Sequence, residues 1–327
     1  MSDRTFLVTG ALGCIGAWVV ERLLARGDRP VVFDLGSEPR RIRDLVGDEG
    51  LQRVGFFQGD IADPTELGRC MDEHSVQHVV HLAGLQVPFC RADPMAGATV
   101  NVLGTVNVFE QAARRGISRV AYASSAAVYE RDDEVRAGRA PGEEQAPHPN
   151  THYGVYKLCN EGTARVSFLE HGISSIGLRP LTVYGVGRDQ GMTSGPTKAI
   201  KAAIVGRPYT IGFSGRTDFL YAADCAEAFI AAAEGGPEGA HVFNIAGESL
   251  EVSAFREELV RQCPEAAELV SVEGPELPVP GAIDGEALGG AIDGLPHTPL
   301  ADGIGQTFER FRALHGAGEL HVADRDA

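Results

Sequence analysis

The spacing of apolar positions along the chain switches repeatedly between short runs and a helical period, and each switch predicts an element. Phe6-Leu7-Val8 reads as a buried strand, and Ala17 to Leu24 has the spacing of a helix face. Val31-Val32-Phe33-Asp34 is a second strand, followed by a short charged helix over Glu38 to Val46. Arg53 to Ile61 is a third strand. Asp63-Pro64 then opens a helix, with Asp as cap and Pro in the first turn. Gln77 to Gly84 is a fourth strand ending in small residues. Ala92 to Gly116 reads as one long helix, kinked near Gly104 and closed by Gly116. Arg119 to Ser125 is the fifth strand, Arg131 to Asn150 a surface loop without periodicity, and Tyr153 to His171 a helix closed by Gly172. Ser174 to Arg179 is the sixth strand.

The pattern shortens after Pro180. Val183 to Arg188 reads as a loop, Pro196 to Gly206 as a helix, and Pro208 to Gly212 and Gly215 to Tyr221 as extended pieces. A helix over Ala222 to Gly235, a strand over Ala240 to Ala246 and a helix over Ser253 to Cys263 follow. The stretch from Gly274 to Pro299 is rich in Gly and Pro, and a last helix runs from Ile304 to His315. Strands alternating with helices at this spacing predict an α/β fold with a doubly wound parallel sheet. The expected division is a nucleotide-binding body over residues 1–180, a smaller C-terminal substrate-binding lobe over 181–316 interwoven with it, and a mobile tail over 317–327.

Composition narrows the function without naming it. The 327 residues are 43% hydrophobic, enough for a body and a lobe. No apolar run reaches the length of a membrane span, and the N-terminus lacks the basic-then-apolar pattern of a signal peptide. A net charge of −16 argues against nucleic acid as a partner and leaves a small-molecule substrate. The cysteines at 14, 70, 90, 159, 225 and 263 form no metal or redox pair, and read as free thiols of a cytoplasmic protein. No metal site is expected.

Thr9-Gly10-Ala11-Leu12-Gly13-Cys14-Ile15-Gly16 joins the first strand to the first helix. Gly10 permits the tight turn, Gly13 lets backbone approach a pyrophosphate, and Gly16 lets helix pack on strand. The helix start then offers N–H groups to the anion. Asp34, ending the second strand, suits the two hydroxyls of an adenosine ribose. Its charge would repel a 2′-phosphate, so the expected cofactor is NAD rather than NADP, although Arg40 and Arg41 lie nearby. Near the other end of the body, Tyr153 and Lys157 share one helix face. A free phenol has a pKa near ~10, and an ammonium on the same face is expected to lower it. Tyr153 can then take a proton from an alcohol while the carbinol carbon gives up hydride to the nicotinamide. Lys157 can hold the ribose hydroxyls, and Ser125 can hydrogen-bond the alcohol oxygen.

With these residues in place the chain resembles an extended short-chain dehydrogenase/reductase of the NAD-dependent epimerase/dehydratase family, with its Rossmann-type sheet. The likeness runs from Thr9 to about Leu314. It rests on the glycine turn, Asp34, Gly59-Asp60-Ile61, His81-Leu82-Ala83-Gly84, Asn101 with Gly104-Thr105, Ser124-Ser125-Ala126-Ala127-Val128-Tyr129, Tyr153 with Lys157, Arg179-Pro180 with Val183-Tyr184-Gly185, and Arg216 with Asp218 to Tyr221 and Asp224. The resemblance implies that Ser125, Tyr153 and Lys157 are catalytic. It puts Asp60 and Ile61 beside the adenine, and Leu82, Ala83 and Gly84 along the pyrophosphate and ribose. Cys14, Ile15, Asn101, Pro180 and Val183 join the cofactor site, Cys14 through its backbone. His81 is expected to be structural. Thr182, Arg188 and Arg216 are the expected substrate contacts. It also implies a homodimer through the helices at Ala92 to Gly116 and Tyr153 to His171, whose apolar positions exceed one buried face. Alternatively, those extra apolar positions lie under the Arg131 to Asn150 loop.

Three activities fit: a dehydrogenase acting on a secondary alcohol of a sugar, sugar acid or similar polyol; a nucleotide-sugar epimerase that keeps NAD bound; and a catalytically silent NAD-binding redox sensor. The intact Ser-Tyr-Lys set disfavours the sensor. Dehydratases of this family place an acid pair after the active-site hydroxyl, and Ala126 and Ala127 stand there instead. Family epimerases usually carry Asn shortly after Arg-Pro, and Leu181-Thr182 replace it. This favours a substrate without a nucleotide.

Overall fold

The computed structural model describes residues 4–130 and 138–322. Its centre is a seven-stranded parallel sheet in the order β10-β6-β5-β4-β1-β2-β3. These strands are β1 (Thr5–Thr9), β2 (Arg29–Asp34), β3 (Gly55–Gln58), β4 (His78–His81), β5 (Arg119–Ala123), β6 (Ser174–Pro180) and β10 (Ala240–Ile245). Val, Leu, Ile and Phe fill their buried positions because both faces are covered, as parallel sheets require. On one face pack α1 (Cys14–Arg26) and a helix over Ala222–Glu234, enclosing Trp18, Val19, Leu23 and Phe229. On the other lie α3 (Pro64–His74), a helix over Gly104–Arg114 and a helix over His152–His171, enclosing Leu67, Val108, Phe109 and Tyr122. The strand order reverses between β1 and β4, so a crevice opens beyond their carboxyl ends, where ligands bind in such sheets.

The chain beyond Pro180 is interwoven with this body. It supplies the edge strand β10, parallel to β6, and a three-stranded sheet of β7 (Thr182–Tyr184), β9 (Arg216–Tyr221) and β11 (Glu248–Glu251). A two-stranded sheet pairs β8 (Tyr209–Ile211) with β12 (Val270–Val272).

Three local expectations need correction. The segment over Ala92 to Gly116 is not one helix. A short helix, Val87–Ala92, ends at Asp93, whose carboxylate caps a new helix, Pro94–Ala98, by accepting from Ala96 N at 3.0 Å. Pro94 has no N–H to continue the first helix. A π turn, Thr99–Leu103, then leads into Gly104–Arg114. Val183 to Arg188 is not wholly loop, because Thr182–Tyr184 pairs with β9. The Arg131 to Asn150 segment, described from residue 138, does not simply ride on the surface. Pro141 and Gly142 are buried, and their carbonyls accept from Asn244 Nδ2 and the Tyr129 hydroxyl. The tail expected over 317–327 is described as far as residue 322, with Leu320 packed against the main core, and residues 323–327 lie outside the described residues.

Candidate active site

β1 ends in the glycine turn. Gly10 has φ +67°, and a Cβ there would stand 2.6 Å from Ala83 N on the neighbouring β4 turn. A Cβ on Gly16 would stand 2.5 Å from Ala11 Cα. Neither position has room for a side chain, so α1 starts hard against the strand. Gly13 caps α1 without a side-chain bond. The first-turn amides at Cys14, Ile15 and Gly16 therefore face the cleft with no competing cap. Asp34 Oδ2 accepts from Leu12 N at 3.0 Å and its Oδ1 from Gly36 N at 3.1 Å, which fixes the carboxylate at the end of β2. A cradle of this shape, with an acid at the ribose position, fits a dinucleotide.

The cleft has a volume of about 500 Å³. Gly10, Gly13, Cys14, Ile15, Gly16, Asp34, Asp60, Ile61, Leu82, Ala83 and Gly84 line it along the sheet. Ser125, Tyr153, Lys157, Pro180, Val183 and Arg188 line its far half. Asp60 also holds its own turn, accepting from Ala62 N at 2.9 Å. Three expected contacts lie elsewhere. Asn101 is fully buried under Gly84, with Nδ2 donating to the carbonyls of Gly97 (3.0 Å) and Leu85 (3.2 Å). It braces the loop behind the cofactor face. Thr182 is fully buried, and its hydroxyl pairs with that of Thr217 at 2.7 Å across the β7–β9 pair. Arg216 does not line the cleft, and donates to the Ser249 carbonyl at 2.8 Å.

Further residues complete the wall. Gln86, Phe89, Met192, Leu277 and Val279 reach the cleft from the turn after β4, the loop after β7 and the Gly/Pro-rich segment. For the last two, the apolar residues alternating in Leu277-Pro278-Val279 were the available clue.

Tyr153 and Lys157 come from the first turns of the His152–His171 helix, which Thr151 caps by accepting from Gly154 N at 3.0 Å. Ser125 lies just beyond β5 and hydrogen-bonds the Tyr153 phenol. Lys157 Nζ donates to Ala123 O at 2.8 Å and lies 5.5 Å from the Tyr153 ring centre. Burial pushes the Lys157 ammonium down to about 8. The Tyr153 phenol is raised, not lowered, because burial outweighs the Ser125 hydrogen bond and the positive charge of Arg188. Arg188 adds a positive charge that lowers it. Tyr156 is engaged elsewhere, donating to Pro94 O at 2.8 Å. His81 bridges the hydroxyls of Thr9 (2.7 Å) and Thr105 (3.0 Å), and burial holds it near 3, so it is neutral. Among the described residues no cluster suits a metal ion, and no helix is long and apolar enough to cross a membrane.

A dinucleotide cradle facing a Ser-Tyr-Lys set across one cleft defines the short-chain dehydrogenase/reductase class. Residues 6–246 match the model of the NAD dependent epimerase/dehydratase family, and the chain belongs to it. It is 30% identical over 324 residues to a UDP-glucose 4-epimerase of Mycolicibacterium smegmatis, covering 94% of this chain and 98% of that one. It is 31% identical to the UDP-glucose 4-epimerase of Azospirillum brasilense, over 71% and 70% of the two chains. The structure of Thermus thermophilus UDP-glucose 4-epimerase in complex with NAD is similar at TM-score 0.79 and 26% identity, over 94% of this chain and 99% of that one. A partial-consensus L-threonine 3-dehydrogenase shares the fold, with TM-score 0.81 at 22% identity over 94% of this chain and 99% of that one. The protein is therefore an NAD-dependent enzyme of the epimerase or dehydrogenase type.

Proposed function

We propose that this enzyme removes a proton and a hydride from a secondary alcohol of a sugar, and returns the hydride to the other face of the same carbon and the proton to its oxygen. The observation carrying the first half is the convergence of Ser125, Tyr153 and Lys157 on the cleft that the cradle lines, with Lys157 Nζ 5.5 Å from the Tyr153 ring centre. Tyr153 takes the alcohol proton at its phenolate oxygen. Ser125 favours the phenolate while the cleft holds no sugar, and donates its one hydroxyl proton to the alcohol oxygen when the sugar is bound. Lys157, anchored on Ala123 O, orients the ribose hydroxyls of the cofactor. NAD, when bound, supplies the hydride acceptor. Epimerisation as the outcome is supported by the activity of the curated relatives.

A second reading is a dehydrogenase for a sugar or sugar acid without a nucleotide, which lets NADH go. One feature favours it. Besides Lys157, Arg188 is the single Lys or Arg among the described residues lining the cleft, and Leu181 lines it where family epimerases usually carry Asn. A diphosphate would meet few donors there. A thermal-shift panel with NAD present separates the readings. Stabilisation by a nucleotide sugar alone supports the epimerase, and stabilisation by a free sugar or sugar acid, with NADH absorbance accumulating, supports the dehydrogenase.

The phenol must lose its proton to act, so the rate should rise with pH. Replacing Arg188 by Met removes the positive charge that lowers the Tyr153 pKa. The rising limb of the pH–rate profile should then move to higher pH, and an unmoved limb would show that this charge does not act on the base.

We also propose a homodimer. Val155, Val166 and Leu169 are exposed along one stripe of the His152–His171 helix, with Cys159 and Gly162 between them, and Leu103 is exposed on the adjoining π turn. No described part of the 131–150 loop covers them. Sedimentation should give a dimer at micromolar concentration, and Leu169→Asp should shift it to monomer.

A further inference from the structure

The first two residues of α2 (Arg40–Leu51) are arginines, directly after the loop that leaves Asp34. Two cations at a helix N-terminus oppose the helix dipole and call for an anion. The anion is Asp189, from the loop after β7, far away in sequence and only 3% exposed. Arg41 Nε lies 3.1 and 3.2 Å from its two oxygens and Arg41 Nη2 2.5 Å from Oδ1, while Arg40 Nη2 pairs with Oδ2. Arg40 also reaches Asp44 Oδ2 at 3.4 Å. The pair stands close to the ribose end of the cradle. Arg41 Nη1 donates to Leu12 O at 2.7 Å, and the N–H of the same Leu12 donates to Asp34.

We propose that Asp189 is a specificity-determining residue for the cofactor: it engages Arg40 and Arg41 and so withholds from a 2′-phosphate the two cations that open the helix after Asp34, one of them joined to Asp34 through Leu12. NADP is then refused twice. Asp34 repels the phosphate, and Asp189 neutralises the arginines that would otherwise bind it. Removing Asp34 alone is therefore not enough to admit NADP. This inference rests on NAD dependence and not on either reading of the substrate.

Calorimetric titration of NAD and NADP, without substrate, tests it. In the Asp34→Asn background, adding Asp189→Asn should tighten NADP binding by on the order of tenfold, the scale of one new charge-assisted hydrogen bond. Adding Arg40→Gln and Arg41→Gln should then abolish the gain. A double variant that folds, binds NAD and takes NADP no more tightly than Asp34→Asn would overturn the proposal. Should loss of Asp189 prevent folding, Asp34→Asn with Arg40→Gln decides instead. With Asp189 in place, Arg40 is already engaged, so NADP affinity should not change; a several-fold loss would overturn the proposal. Wild-type binding of NAD in the same titrations keeps a failure here separate from a failure of the NAD assignment.

Discussion

Tyr153→Phe should lower turnover by about 10²–10⁴-fold, the usual contribution of a positioned acid–base group, while NAD binding stays close to wild type. The ring is held by packing, and Phe keeps the ring. What is lost is the oxygen that Ser125 hydrogen-bonds and that exchanges the proton. Lys157→Ala should behave differently and weaken NAD binding as well, because its ammonium, held on the Ala123 carbonyl, is placed to orient the ribose. Calorimetry with NAD and steady-state rates on the same preparations separate the two effects. Near-native turnover in the Phe variant would remove Tyr153 from the mechanism. Tyr156 would be a poor replacement, since its hydroxyl is committed to Pro94 O.

Glu161→Ala should destabilise the protein by about 3–5 kcal/mol, the cost of leaving one member of a buried ion pair alone. Glu161 follows Lys157 by one helical turn, and its side chain is 9% exposed. Its two oxygens accept from Arg179 Nε at 2.7 Å and Nη2 at 2.6 Å, and the Ser124 hydroxyl donates to Oε1. Arg179 also donates to the Tyr129 hydroxyl, which lies 3.0 Å from Asn244 Oδ1. The network ties the end of β5 to β6, β10 and the helix that carries Tyr153 and Lys157. Without Glu161 the guanidinium stays buried and uncompensated. Glu161→Gln should cost less, and removing Arg179 as well, by Arg179→Met, should recover part of the loss. Thermal melting of the three variants checks the order. An alanine variant within about 1 kcal/mol of wild type would mean that the pair contributes no more than a surface ion pair.

Local chemistry made much of the cofactor half legible. Glycines spaced between a strand and a helix, an acid closing the next strand, and a Tyr and Lys four residues apart each state their geometry within one element. The break at Asp93-Pro94 was equally local. It is the same cap-and-proline signal that marks Asp63-Pro64, and the unbroken apolar period from Ala92 masked it. Other features depend on chain segments that meet only in the fold. Thr182 is sealed by pairing with Thr217, and Arg216 is bonded to the strand beside it. Leu277 and Val279 come back to the cleft from a segment rich in Gly and Pro. Asp189 meets Arg40 and Arg41 across most of the body, and no local pattern announces that contact. The sign of the Tyr153 shift failed for a related reason: burial cannot be read from residue spacing, and here it outweighs the nearby charges.

The central claim is hydride transfer through bound NAD at the Tyr153 end of the cleft, and isotope tracing tests it most directly. The sugar selected by the thermal-shift panel, deuterated at the carbinol carbon, is turned over in ordinary water. The expected result is that the deuterium is conserved, either in NADH or on the inverted carbon of the product. Deuterium washed out into the solvent would mean that the carbon loses a proton rather than a hydride, and would contradict the claim.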